Sequence, residues 1–258
     1  MKKLHVVYFS PTGGTEKVAR AIAEEFPCTK VYHDILERRI EKKASVASDE
    51  VLLVVMPVFS GRVPKYCISS IKRLSGNGSP AIIAAVYGNC EYEDTLVEMQ
   101  DELEAEKFNV IAAGAFIAQH SLVETVATGR PDEQDMTVIK EFAAKCVEKA
   151  AGFKPEDFTR LELPGNRPYR PYDTRVIAPK GTRVCTKCHA CVKICPADAI
   201  SGATPRKTDK TKCIMCGACV AHCHVHARHF KSMKFSALER KISSEASKRK
   251  EPEIFLGE

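Results

Sequence analysis

Leu4-His-Val-Val-Tyr-Phe9 runs without a break into Ser10-Pro-Thr12-Gly13-Gly14-Thr15, and that junction decides how the first part of the chain folds. The apolar, β-branched and aromatic run has the composition of a parallel strand buried on both faces. Beyond the loop, Val18, Ala19, Ile22, Ala23 and Phe26 recur at helical spacing, so a helix follows directly. Strand, hydroxyl- and glycine-rich loop, helix is a cradle for phosphate. Glycines let backbone N–H groups approach an anion, the helix N-terminus supplies favourable potential, and Ser10, Thr12 and Thr15 add hydroxyl donors. The loop carries no lysine of the G-x4-G-K-[ST] kind and no G-x-G-x2-G, which disfavours nucleoside triphosphates and dinucleotides. A monophosphate held without metal is the expectation.

Outward from this junction, strand and helix patterns alternate. Further strands are expected over Lys30 to Ile35, Val51 to Met56, Ala81 to Tyr87 and Val110 to Ala118. Between them, Lys65 to Leu74 starts behind Pro64 and places Ile68, Ile71 and Leu74 on one helical face, and Glu93 to Lys107 does so with Leu96, Met99 and Leu103. A last helix runs from Pro131 to Ala151 and stops at Gly152. The alternation predicts an α/β fold, a doubly wound five-stranded parallel sheet, with ligands at the carboxyl ends of its strands.

The loop's [ST]-x-T-G-x-T pattern resembles the phosphate signature of flavodoxins, and the likeness covers residues 1–152. The resemblance implies a flavodoxin-like domain binding FMN, with Ser10, Thr12, Gly13, Gly14 and Thr15 around its phosphate. It further implies that Pro57-Val58-Phe59-Ser60-Gly61 meets the flavin's N5 edge with a backbone peptide near Gly61. Gly88-Asn89-Cys90-Glu91-Tyr92 is implied to supply Tyr92 as a stacking ring. The chain has no tryptophan, so Phe59 or Val58 must cover the other face of the flavin.

Later in the chain, Cys185-Thr-Lys-Cys188-His-Ala-Cys191-Val-Lys-Ile-Cys195-Pro196 has its cysteine spacing repeated by Cys213-Ile-Met-Cys216-Gly-Ala-Cys219-Val-Ala-His-Cys223. Ala190 matches Ala218, Val192 matches Val220 and Ala199 matches Ala227, so a structural unit is duplicated. Cubane iron–sulfur clusters need four converging thiolates, and this spacing serves them. Zinc also takes four cysteines, but zinc sites pair C-x2-C units at a distance. The two runs resemble the bacterial two-cluster ferredoxins over residues 180–230, a small α+β domain. That resemblance implies one [4Fe–4S] cluster on Cys185, Cys188, Cys191 and Cys223 and a second on Cys213, Cys216, Cys219 and Cys195. His224 stands where the second proline is usual, and His222, His226 and His229 lie nearby; tuning of a cluster or plain solvent exposure accounts for them.

Residues 153–179 carry Pro155, Pro164, Pro168, Pro171 and Pro179 without a helical period and read as an extended connector. Arg167-Pro-Tyr169-Arg170-Pro-Tyr172 suggests that it lies along a surface. Residues 231–258 read as a basic C-terminal tail or helix. The net charge of +6 is uneven: residues 178–258 hold 16 Lys and Arg against 7 Asp and Glu. Two anionic clusters account for part of that excess better than a nucleic acid does. No apolar run is long enough for a membrane span and the N-terminus lacks a signal-peptide pattern, so a cytoplasmic protein is expected, and the clusters imply an anaerobic source by resemblance.

No general acid, base or nucleophile stands in a recognisable constellation, so no catalytic side chain is expected and the chemistry falls to the cofactors. The first expectation is an electron-transfer flavo-iron–sulfur protein passing electrons between two [4Fe–4S] clusters and FMN, to or from an external redox partner protein. The alternative is an FMN-dependent reductase of a small organic substrate, fed internally by the clusters, with an opening beside Tyr92, His120 and the following loop. A third is a non-redox module whose flavin site has decayed.

Overall fold

The structure is a computed structural model; it describes residues 1–37, 39–173 and 175–257, and Arg38, Thr174 and Glu258 lie outside it. The chain opens with β1 (Lys3–Tyr8), α1 (Gly14–Glu24), β2 (Thr29–Asp34), the two-residue β3 (Ala44–Ser45) and β4 (Val51–Pro57). There follow α2 (Lys65–Ile71), β5 (Leu74–Ser75), β6 (Pro80–Tyr87), α3 (Thr95–Ala105), β7 (Asn109–Ile117) and α4 (Glu133–Gly152). The remainder holds β8 (Lys180–Gly181), α5 (Ala190–Lys193), α6 (Ala218–Ala221), β9 (Arg228–His229), α7 (Met233–Glu245) and β10 (Glu253–Leu256).

The main sheet runs β10-β7-β6-β4-β1-β2. Its five sequence-expected strands are parallel and, counted among themselves, lie in the order 2-1-3-4-5 of flavodoxin-like sheets. β4 and β6 are buried at every residue because helices cover both faces. Alternate side chains therefore divide between two cores. Val7, Leu52 and Val54 face α2 and α3 with Leu96 and Met99, while Val6, Leu53 and Val55 face α1 and α4 with Ile22 and Phe142. Each such side chain contributes about 1.5–3 kcal/mol by leaving water. Among the described residues no helix is long and apolar enough to cross a membrane.

The proline-rich connector does not swing. Arg62, after β4, donates from Nε and Nη2 to Glu98 of α3 at 2.8 and 2.7 Å, and its guanidinium lies 4.6 Å from the Tyr169 ring and 4.4 Å from the Tyr172 ring. Tyr172 Oη also donates to Glu98 at 3.0 Å, and Asp94 accepts the backbone N–H groups of Asn166 and Arg170 at 2.8 and 2.7 Å. Arg167 forks onto Asp101 at 2.8 and 2.7 Å. The acidic face of α3 is the surface on which residues 160–172 lie.

Residues 231–258, expected as a tail or helix, hold α7 and then a strand that returns to the first domain. Ile242 of α7 packs on Val123 and Val126. Asn89 Nδ2 then donates to the carbonyls of Ala246 and Lys248 at 2.9 and 2.8 Å, its Oδ1 accepts Lys250 N–H at 3.0 Å, and β10 pairs antiparallel with β7. The parallel sheet thus gains a sixth strand from the far end of the chain, which covers what would otherwise be an open edge.

Candidate functional site

The duplication in sequence is a duplication in backbone. Lys187 and Met215 (φ 58° and 55°), His189 and Gly217 (63° and 80°), and Asp198 and His226 (48° and 47°) are left-handed pairs at the repeat interval. The N–H groups of Ala199 and Ala227 point to Cys195 Sγ and Cys223 Sγ at 3.3 and 3.2 Å. Such N–H···S contacts stabilise thiolates. Cys185, Cys188, Cys191 and Cys223 border one hollow of about 310 Å³ open to solvent. Cys195, Cys213, Cys216 and Cys219 border another of about 340 Å³. The fourth cysteine of each run therefore stands with the three of the other. Among the described residues no three His, Cys, Asp or Glu side chains gather closely enough to share one ion, and the sulfurs ring a space instead, an arrangement suited to a polynuclear cluster.

The two hollows differ in exposure. Cys188 is exposed, and Val184, next to Cys185, is 64% exposed. Cys216 and Ala218 instead belong to the same apolar core as Phe9 and Leu52 of the sheet. Burial pushes the Cys216 thiol up to about 12, and burial also raises Cys213 and Cys219. A thiolate at these positions needs a bound cation to offset the loss of water, which iron supplies. The outer set thus reaches the surface at Cys188, while the inner set meets the first domain at Cys216. Of the four histidines, His224 is exposed with Nδ1 3.8 Å from Cys188 Sγ, and His222 Nδ1 lies 2.9 Å from the Ala218 carbonyl.

The phosphate cradle is formed at the end of β1. Gly13 is left-handed (φ 91°), α1 begins at Gly14 without a side-chain cap, and open space lies where a Gly13 Cβ would stand. Ser10 Oγ accepts Glu16 N–H at 2.9 Å, which shapes the loop, while Thr12 is exposed and Thr15 buried. These residues fit a phosphate monoester. A Cβ on Gly217, between Cys216 and Cys219, would come 3.3 Å from Thr12 Cγ2 and 3.2 Å from the Ser121 carbonyl. The inner cysteine loop therefore lies against the mouth of the cradle.

Of the other expected flavin contacts, Pro57 is buried as the last residue of β4, Val58 and Phe59 are half-buried, and Phe59 stacks edge-on to Phe9 at 6.4 Å. Ser60 and Gly61 (φ 52° and 77°) form a tight turn closed by Phe59 N–H to the Arg62 carbonyl at 2.9 Å. Gly88 packs under the His120 ring. Tyr92 needs correcting as an open stacking ring. It is 7% exposed, lies edge-on to Tyr87, and hydrogen-bonds Glu253 of β10 at 3.0 Å; Asn89 is likewise occupied by the C-terminal segment. The returning C-terminal segment, invisible to local reading, takes both residues, Asn89 before β10 and Tyr92 on it. His120 also faces inward: its Nδ1 accepts from Leu122 and Val123 N–H at 3.1 and 3.2 Å, and burial lowers its pKa to about 4.

Residues 184–227 match the model of the 4Fe-4S dicluster domain family, so this stretch is an iron–sulfur domain. No curated protein sequence matches the chain. Solved structures similar to the first domain include a flavodoxin from the domain Archaea, 14% identical over 58% of this chain and 99% of that one, TM-score 0.41. Oxidised flavodoxin 1 from Bacillus cereus is 17% identical over 57% and 98%, TM-score 0.37, and an azoreductase from Bacillus anthracis is 11% identical over 58% and 100%, TM-score 0.39. The strand order already defines the fold without them.

Proposed function

We propose that the chain is an electron carrier in which two [4Fe–4S] clusters, an outer one on Cys185, Cys188, Cys191 and Cys223 and an inner one on Cys195, Cys213, Cys216 and Cys219, connect a partner protein to FMN. The observation that carries this reading is the packing of the inner cysteine loop, through Gly217, Cys216 and Ala218, onto the phosphate cradle and the sheet core. FMN would have its phosphate on Ser10 to Thr15 and its ring against Val58 and Phe59. A flavin takes one or two electrons where a cluster moves one, so two clusters match one fully reduced flavin. The protein's own part is to hold the sites in contact and to keep water from the inner set.

The reductase alternative needs an opening beside Tyr92, His120 and the loop to Arg130; the packing of Val123 and Val126 on Ile242 of α7, and of His120 over Gly88, favours the carrier reading over it. The outer cluster faces the partner. No Asp or Glu lines the outer hollow, and none occurs in residues 175–197 or 210–238, which carry its ligands, so the side chains around it are positive or neutral. An acidic redox protein fits it, with transfer rates that fall as salt rises.

Anaerobic purification followed by an absorbance spectrum and iron, sulfide and flavin analysis tests the proposal. About eight irons and one FMN per chain are expected, both chromophores bleaching under reductant. Colourless protein, or zinc in place of iron, would refute it.

A further inference from the structure

Extending the repeat one residue past Ala199 and Ala227 pairs Ile200 with Arg228. Ile200 is buried in an apolar cluster with Cys191 and Cys219. Arg228 occupies the equivalent place in the second half and is only 2% exposed. Its Nη1 donates to the Pro205 carbonyl at 2.5 Å and lies 3.9 Å from Cys191 Sγ; Nη2 reaches the Pro179 carbonyl at 3.2 Å and Thr208 Oγ1. Its buried Nε has no hydrogen-bond partner. Among the described residues it forms no salt bridge, while the other two buried arginines, Arg62 and Arg130, each face a carboxylate.

A buried guanidinium without an anion is strongly unfavourable, and neutral carbonyls offset only part of that cost. The missing anion must come from something the side chains do not provide. Arg228 borders the outer hollow together with Cys191 and Cys223, and a cubane on four thiolates carries net negative charge. A fixed cation beside a cluster stabilises its reduced, more negative form over its oxidised one.

Resting on the cluster reading above, we propose that Arg228 is the counter-charge of the iron–sulfur pair, placed nearer the outer cluster, and that it makes the outer cluster hold electrons more tightly than it would with an apolar residue there. The duplication then left two similar cages, and the Ile200–Arg228 difference is the one that puts a buried charge between them.

The test is an anaerobic redox titration of the loaded full chain, followed by electron paramagnetic resonance, for wild type, Arg228→Met and Arg228→Lys. With Met, the equilibrium constant for reducing the outer cluster should fall at least tenfold, about 59 mV for a one-electron couple. Lys, which keeps the charge but not the fork, should retain most of the wild-type potential. Unmoved potentials in the Met variant, or an equal fall with Lys, would overturn the proposal, the second because Arg228 would then act only by tying the Pro179, Pro205 and Thr208 loops together. Should Met lose its iron, Arg228→Gln is titrated in its place. Iron lost from Met and Gln but kept by Lys supports the counter-charge, and iron lost from all three overturns it. Wild type without iron would defeat the cluster reading itself, a different failure.

Discussion

Glu98→Ala is the sharpest test of how the two halves are held together. Glu98 accepts from Arg62 Nε at 2.8 Å and Nη2 at 2.7 Å, from Val63 N–H at 2.9 Å and from Tyr172 Oη at 3.0 Å. Removing it strands a guanidinium that is 8% exposed, and breaking a buried pair from one side costs about 3–5 kcal/mol. Arg62 keeps the Arg170 carbonyl and its place between the rings of Tyr169 and Tyr172. Because a desolvated cation–π contact contributes roughly 2 kcal/mol, the loss should fall near the lower end, about 3 kcal/mol. Replacing both partners, Arg62→Met with Glu98→Leu, should recover most of it, since an apolar pair of similar volume avoids the stranded charge. Urea unfolding of the wild type, both single variants and the double variant gives the coupling, and limited proteolysis reads whether residues 160–172 have come loose. A loss under about 1 kcal/mol for Glu98→Ala, or a double variant as unstable as the sum of the singles, would refute the clamp.

The remaining predictions concern the rest of the site. His120 has a folded pKa near 4 against an ordinary 6.5, caused by burial. The unfolded chain therefore binds the extra proton first, and stability is full above pH 6.5 and declines as pH falls toward 4, by roughly 3 kcal/mol. Comparing wild type with His120→Asn at pH 5 and pH 7 should show the pH-dependent difference, and parallel curves would contradict it. Gly13→Val puts a β-branched side chain at φ 91° and should lower flavin affinity at least tenfold with iron content unchanged; equal loss of iron would mean that the cradle is not a separate site. Asn89→Ala removes three hydrogen bonds to residues 246–250 and should cost about 2–4 kcal/mol, with new protease cleavage near Ser247; an unchanged melting temperature would count against the C-terminal segment being held there.

The five parallel strands and the two cysteine runs were legible because their signals are local: apolar runs of strand length between helical periods, and a cysteine spacing that repeats. The connector's landing site was not legible. Asp94 at the start of α3 and Glu98, Asp101 and Glu104 along it find their partners in Arg62 and in residues 160–172, far away in sequence. β10 escaped for the same reason, a four-residue segment, Glu253–Leu256, whose hydrogen bonds go to Ala112–Ala115. Tyr92 followed from that omission, since without the returning strand nothing occupies its hydroxyl. Arg228 is legible in the repeat itself, one residue beyond Ala227 and paired there with Ile200.

Docking would change the physics of the proposed transfer. A free Pro-rich connector would give the two redox units an effective concentration on the order of millimolar and leave each transfer to a chance encounter. The clamp on α3, the return of β10 and the contact of Gly217 with Thr12 replace the encounter by a fixed approach. Exposure then orders the sites: Cys188 lies at the surface and Cys216 inside the shared core. On the proposed reading, a partner meets the outer cluster at the exposed Cys188, and the inner cluster stands between it and the flavin cradle. If Arg228 holds the first electron on the outer cluster as proposed, a second electron has to be taken up by the inner cluster, so that both are charged before the flavin is reduced. Two electrons collected singly at the surface would then enter the flavin in close succession, which limits the time it spends half-reduced.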